Sequence, residues 1–260
     1  VIFDSQSQKL SLKKYLSQPD GDSFNAYLIE GFLEKLRFLK KVSRNALFVG
    51  KYHPTHLRRF LSPLPGKAYL EFPDLLPGIP QKSQAFYQVH PPKKTEYDVL
   101  LHNNLHQQNH LEKSLQSLFD LLKPKGIFLG SFFGEYTLKE LRDSALKTEE
   151  LLGWPHTPRV SPFLDAQGFT QILQSQGFQN IVVDKERLKL KYDSLASLLR
   201  DIRQSGEKNM LTTRQSTFLG KQFLPKLNDV YQHRFGNPSL TFPVTLDILH
   251  FFAEKPSTFL

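Results

Sequence analysis

The sequence contains no cysteine. That excludes disulfide staples, thiolate zinc sites, iron–sulfur ligation and a cysteine nucleophile together. No run approaches the ~18 consecutive apolar residues that a membrane-crossing helix needs. Glycine is scarce, with 14 residues against 17 prolines and 22 phenylalanines. Several glycine-rich phosphate loops would need more, because such loops bring backbone against ligand at φ values closed to other residues. There is no G-x-S-x-G nucleophile elbow. Ribonucleoprotein, zinc-finger and helix-turn-helix signatures are missing too, which makes nucleic acid the weakest partner class. No internal repeat or low-complexity tract occurs. The opening residues after Val1 are polar and basic (Lys9, Lys13, Lys14) and are read as carrying no signal peptide.

What is present is a chain of 260 residues, 39% hydrophobic, with a formal net charge of +9. That length suffices for one sizeable core. Acidic residues are missing from one stretch: between Lys35 and Lys67 stand nine basic residues (Lys35, Arg37, Lys40, Lys41, Arg44, Lys51, Arg58, Arg59, Lys67) and no Asp or Glu. Such a stretch concentrates anionic partners, whether an acidic protein or lipid headgroups at a membrane surface; the plainer alternative is a solubilising face.

Periodicity sets out the elements. Asp22 precedes a helix with Phe24, Leu28, Phe32 and Leu36 on one stripe. Residues 46–49 read as a buried strand ended by Gly50, and Pro54 opens a helix carrying His56, Leu57 and Phe60. Strands are expected at 67–71, 85–89 and 97–101, the last apolar after Asp98 as in a strand covered on both faces. A helix with Leu111, Leu115, Leu118 and Leu122 follows, then a turn at 123–126 and a strand at 127–130. Thr137 is expected to cap a helix over 138–152. Beyond a proline-rich loop come a helix at 165–176 stopped by Gly177, a strand over 181–192 and a helix over 194–204. A helical stretch at 213–235 is expected to break near Pro225, before a final strand at 242–253. Strands alternating with helices over 46–130 predict a mostly parallel sheet with helices on both faces, and a hairpin-like pair near the end predicts an antiparallel edge.

Local strings narrow this outline. The segment from Tyr97-Asp98 through His106, with the turn from Leu122 to Gly126, resembles the strand-four to strand-five region of class I methyltransferases. The strings FGEYTLKELR (133–142), PRVSPF (158–163), QGF (176–178) and LRDIRQSGEKN (199–209) are similar to a narrower group, the BioC-like methyltransferases. Within it they resemble the mitochondrial complex I assembly factor 5 and its alphaproteobacterial relatives. Ile2-Phe3-Asp4 and residues 243–252 fit the same group. The resemblance implies an α/β, Rossmann-like class I fold with a helical lid insertion. It also implies S-adenosylmethionine as cofactor and residence in bacterial cytoplasm or mitochondrial matrix. Two activities go with the group: methylation of a malonyl thioester on acyl carrier protein, and hydroxylation of an arginine on a complex I subunit. The segments after residue 130 favour the second. One domain is expected, with a cofactor half at 21–135, lid and substrate-side insertions at 136–215, and a C-terminal helix and strand at 216–260.

The resemblance places cofactor contacts at Val49, Gly50, Glu71, Phe72, His102 and Asn103. It places substrate-side residues at His106, Glu135, Arg142, Arg159, Glu207 and Asn209. Of these, Glu135 and Glu207 are candidate acids or bases, or simply charges near helix ends; the arginines are candidate carboxylate clamps, or solvated or salt-bridged. The loop after the first strand departs from the family's D-x-G-x-G-x-G pattern. It reads Phe48-Val49-Gly50-Lys51-Tyr52-His53-Pro54, with Gly50 as its one glycine, and Gln107 replaces the family's aromatic after His106. His102, His106 and His110 stand four apart, but across a strand end and a helix start, so no metal site is expected. Three functions stay open: a protein-directed member of the assembly factor 5-like group with weak or lost cofactor binding, an active methyltransferase on a small-molecule or carrier-linked carboxylate, and a non-catalytic scaffold.

Overall fold

The computed structural model describes residues 2–17, 23–36, 45–56, 66–69, 87–88, 97–214, 220–236 and 240–257. Its elements in chain order are α1 (Ser5–Leu16), α2 (Ser23–Leu36), β1 (Ala46–Val49), β2 (Gly66–Tyr69), β3 (Tyr87–Gln88), β4 (Tyr97–His102), α3 (Leu111–Leu121) and β5 (Leu122–Phe133). Then come α4 (Lys139–Leu151), α5 (Ala166–Ser175), β6 (Gln179–Tyr192), α6 (Leu195–Gln204), α7 (Gly220–Phe235) and β7 (Phe242–Glu254). The strands form one sheet in the order β3-β2-β1-β4-β5-β7-β6.

β1 pairs in parallel with both β2 and β4, so strand order reverses direction at the β1–β4 boundary. In open α/β sheets, the crevice at the carboxyl ends of the strands flanking such a boundary is where ligands bind. All four residues of β1 are buried, as its unbroken apolar run requires of a strand covered on both faces. One core joins α2, α4, α6 and α7 to the sheet through Phe24, Leu28, Leu141, Leu198, Tyr231 and Ile248. The other joins α3 and α5 through Leu115, Phe119, Phe169, Leu173, Phe128 and Phe251. The abundant phenylalanines are used here, with ring centroids 4.7 Å apart for Phe132–Phe169 and 4.8 Å for Phe128–Phe251. Each such buried ring contributes about 1.5–3 kcal/mol of transfer free energy.

Four expectations are corrected. β5 runs from Leu122 to Phe133 rather than over 127–130, because Ser131, Phe132 and Phe133 find partners in His250, Leu249 and Ile248 of β7. β6 and β7 pair antiparallel, but they are not a hairpin: α6 and α7 intervene, and β7 inserts between β5 and β6. Thr137 caps no helix. Its hydroxyl donates to Asp247 O and accepts from Asp247 N, while Leu138, at φ 58°, precedes α4. Pro225 lies within α7 without ending it. One backbone bond is lost there, but Phe223, Leu227 and Tyr231 hold the helix on the core.

α1 is placed by polar contacts at its start. Asp4 caps it through Gln6 N and Ser7 N and pairs with Arg214 at 2.7 Å. Asn109 accepts from Ile2 N and Phe3 N and donates to Phe3 O. Of the stretch 136–215, α5 and β6 build the sheet layers, whereas α6 packs on α1 and α2. No described helix is long and apolar enough to cross a membrane.

Candidate functional site

The ends of β1 and β4 are clasped by one side chain. Val49 lies opposite His102 in the parallel register, and the next residues are Gly50 and Asn103. Asn103 Oδ1 accepts from Lys51 N and its Nδ2 donates to Lys51 O, both at 2.7 Å. Gly50 is indispensable at this point: its φ is +117°, and a Cβ would stand 2.4 Å from Asn103 Oδ1. His102 Nδ1 accepts from Asn104 N at 3.0 Å. Burial, reinforced by neighbouring His106, pushes the His102 pKa down to about 3, so its ring is neutral at physiological pH.

Lys51 then turns inward. Its ammonium donates to Gly206 O at 2.9 Å and to Glu207 Oε1 at 3.0 Å. Glu207 Oε2 takes two further contacts, His106 Nε2 at 3.0 Å and Gln107 Nε2 at 2.8 Å. The paired Lys51 and Glu207 side chains are each 4% exposed and that of His106 is 1% exposed. Three separate pieces of chain supply these groups: the loop after β1, the 3-10 turn Leu105–Gln107 after β4, and the turn after α6. That last turn is set by Gly206 at φ +73° and by Glu207 N donating to Ile202 O. Burial pushes the Glu207 carboxyl up, but the charges of Lys51 and His106 and their hydrogen bonds outweigh it, leaving its pKa below the ordinary 4.5. The His106 ring packs against Phe133 at 5.5 Å and Phe163 at 5.6 Å.

The remaining expected residues divide by position. Glu71 and Phe72 lie outside the described residues. Glu135 and Arg142 line an open cleft of about 630 Å³ together with Pro158, Phe163 and Thr213. Arg142 is anchored there by donating to Glu135 O and Thr137 O, each at 3.2 Å. Glu135 reaches Lys185 at 3.5 Å near the surface. Phe163 thus separates this cleft from His106. Asn209 is a backbone stitch, donating to Pro158 O and accepting from Leu211 N. Arg159 is not brought to the cluster: its Nε donates to Glu149 at 2.6 Å and its guanidinium lies over Phe223. Glu149 also accepts from Thr157 N and Oγ1, so it pins the whole 157–159 segment. Glu149→Ala is therefore expected to cost about 2–3 kcal/mol, leaving buried donors unpaired. Urea unfolding measures that loss, and cleavage by a protease within 155–160 should accelerate with it.

Two members of the cluster escaped the sequence. Lys51 counts there as one of nine surface cations, yet it is buried and neutralised, so it belongs to no surface patch. The other eight side chains of that stretch lie outside the described residues. Gln107 reads only as a lost aromatic. The usable signal was that both polar replacements fall at strand ends facing a buried crevice, where a charge demands a counter-charge. Among the described residues, no group of three or more His, Cys, Asp or Glu is placed to hold a metal ion.

In the described part of the loop after β1, protein groups pack into the space beside the strand ends. Asn103 fills the hollow that Gly50 leaves. Tyr52 is 1% exposed and packs edge-on to Phe48, while His53 meets Tyr15 of α1 and His56. His53 Nδ1 also accepts from Thr55 N at the start of the helical turn 54–56. The loop's polar groups are thus engaged by protein.

No protein-family model matches the chain. The mitochondrial arginine-hydroxylase NDUFAF5 of Dictyostelium discoideum is 33% identical over 161 residues, which cover 61% of this chain and 37% of that protein. Malonyl-(acyl-carrier protein) O-methyltransferase 1 of Coxiella burnetii is 32% identical over 152 residues, covering 57% of this chain and 50% of that protein. The chain therefore spans half or less of the length of these curated relatives. Among solved structures, BH2331 of Bacillus halodurans C-125, provisionally assigned as a methyltransferase, superimposes with a TM-score of 0.56 at 12% identity, covering 87% of this chain and 99% of that one. At that identity the likeness speaks for the fold, and the fold is that of the class I methyltransferases.

Proposed function

We propose that this class I methyltransferase-fold chain, similar in sequence to BioC-like enzymes and to NDUFAF5, acts on or binds a protein partner with its S-adenosylmethionine site given up or weakened. The observation that carries this is Lys51. S-adenosylmethionine brings a fixed sulfonium charge and an ammonium to the loop after β1. Here that loop already holds a buried ammonium, committed to Glu207. A ligand entering that space would have to displace or break this buried pair, which costs several kcal/mol. The Asn103 clasp and the packing of Tyr52 and His53 act in the same direction. A protein partner is favoured by the cleft beside Arg142 and Phe163, which is open and mixed in character. Eight further cations at 35–67 would attract an acidic surface. Relatives named as mitochondrial and from bacteria are in keeping with a bacterial cytoplasm or mitochondrial matrix.

Calorimetric titration of the folded chain with S-adenosylmethionine tests this. No saturable heat is expected up to about 1 mM ligand, the regime of ~4 kcal/mol or less of binding free energy. Micromolar binding that Glu71→Ala abolishes would overturn the proposal and install the carboxylate-methylating enzyme in its place.

A further inference from the structure

β6 is the last strand of the sheet order, and among the described residues it pairs with β7 alone. Among those residues, one backbone edge of its 14 positions is therefore open. From Val182 to Tyr192 its register with β7 runs without a shift, so side chains alternate strictly between the two faces. Leu188, Leu190 and Tyr192 turn to the core shared with α6 and α7. Lys185, Arg187, Lys189 and Lys191 share the opposite face, and all four are exposed. Cations recur there about 7 Å apart, in a row about 20 Å long.

The row is only partly satisfied. Lys185 meets Glu135 at 3.5 Å, and Arg187 donates to Asp247 at 3.3 Å with its guanidinium over Tyr136. Lys189 and Lys191 form no ion pair among the described residues. Lysines on an edge strand commonly keep a sheet from pairing with its own kind. Here they do so by register, because a twofold-related copy centred on this stretch sets cation opposite cation. The same row matches a strand of the opposite charge. We propose that β6 takes up an extended, acidic segment of a protein partner as an added strand. The segment carries Asp or Glu at alternate positions, facing Lys185, Arg187, Lys189 and Lys191, with apolar residues between them facing Leu188 and Leu190. Main-chain hydrogen bonds to the open edge supply affinity, and the opposed charges supply register. One end of the row lies at the rim of the open cleft, which Glu135 and Tyr136 line. Such a strand presupposes the protein partner proposed above, but not the loss of the cofactor.

The test uses the whole chain and a synthetic peptide of about eight residues that alternates glutamate with valine. Fluorescence anisotropy should show saturable binding, and hydrogen exchange should show β6 amides protected by the peptide. A peptide of the same composition with its glutamates in one block should bind at least about tenfold more weakly. So should the alternating peptide when offered to the double variant Lys189→Glu with Lys191→Glu. Both positions are exposed, so the variant should fold, and it should prefer a peptide alternating lysine with valine. No binding at millimolar peptide would mean that the row only guards the edge, and would overturn the proposal. Binding without protection of β6, or equal binding of the block peptide or of an oligothymidylate of equal charge, would show a general anion patch and overturn it as well. Each outcome leaves the calorimetric result with S-adenosylmethionine unchanged, so the two proposals fail separately.

Discussion

Glu207→Ala should lose about 3–5 kcal/mol of stability, because it strands a buried ammonium with no counter-charge. Domains of this size hold about 5–15 kcal/mol in total, so the variant should sit near the edge of folding. Three groups lose a carboxylate partner at once, Lys51 Nζ, His106 Nε2 and Gln107 Nε2, and Lys51 keeps only the uncharged Gly206 O. Lys51→Met should cost less, since Glu207 then keeps two donors and Met matches the lysine stem. The double variant Lys51→Met with Glu207→Leu should recover much of the loss, as buried ion pairs replaced by apolar groups often do. Urea midpoints for the four proteins give the coupling directly. A Glu207→Ala protein within about 1 kcal/mol of the parent would mean that the pair is not buried in solution. Acidity should act through the same group. With its folded pKa depressed below 4.5, Glu207 contributes stability that is fully present above its unfolded value and fades as pH falls through the folded one. A stability profile flat near neutrality and falling below about pH 4.5 is expected, with that fall reduced in Glu207→Gln.

Gly130→Ala should abolish the native fold outright. A Cβ at that position would stand 2.0 Å from His102 O and 2.5 Å from the Phe251 ring. The first contact is backbone in the neighbouring strand, so nothing can rotate aside. Gly130 pairs with His102 on one side and Phe251 on the other, and an added methyl drives β4, β5 and β7 apart at the level of the site. Overpacking usually costs about 1–3 kcal/mol; a clash with backbone on one side and a buried ring on the other should exceed about 4 kcal/mol. Circular dichroism should show no cooperative melting, and most of the protein should be insoluble. Gly153→Ala is the control: it meets no atom within 4 Å, and its φ of +66° alone should cost about 1–2 kcal/mol. A soluble Gly130→Ala that melts like the parent would contradict the β4–β5–β7 register.

Much of this architecture was legible because local chemistry repeats with the period of each element. The helices expected over 165–176 and 194–204 are α5 and α6, which Asp165 and Ser194 cap, and Gly177, at φ +89°, ends the turn after α5. Where the reading slipped, a neighbour outside the segment decided. β5 extends because β7 offers partners, Thr137 bonds to β7 instead of capping, and Pro225 is carried by the core around it.

The sequence by itself singled out residues that the fold places at the crevice: His106 from its place after the fourth strand, Glu207 from the G-E-K-N string, Gly50 as the one glycine of its loop. Only the tertiary structure decided that His106 and Glu207, 101 positions apart, touch. It alone made Lys51 a buried counter-ion while its sequence neighbours remain unassigned cations. The physical reason is that a charge carries no mark of its surroundings. Exposed, an ammonium is nearly free of constraint, but once buried it must have a carboxylate within a few ångströms, and the chain brings one there only by folding.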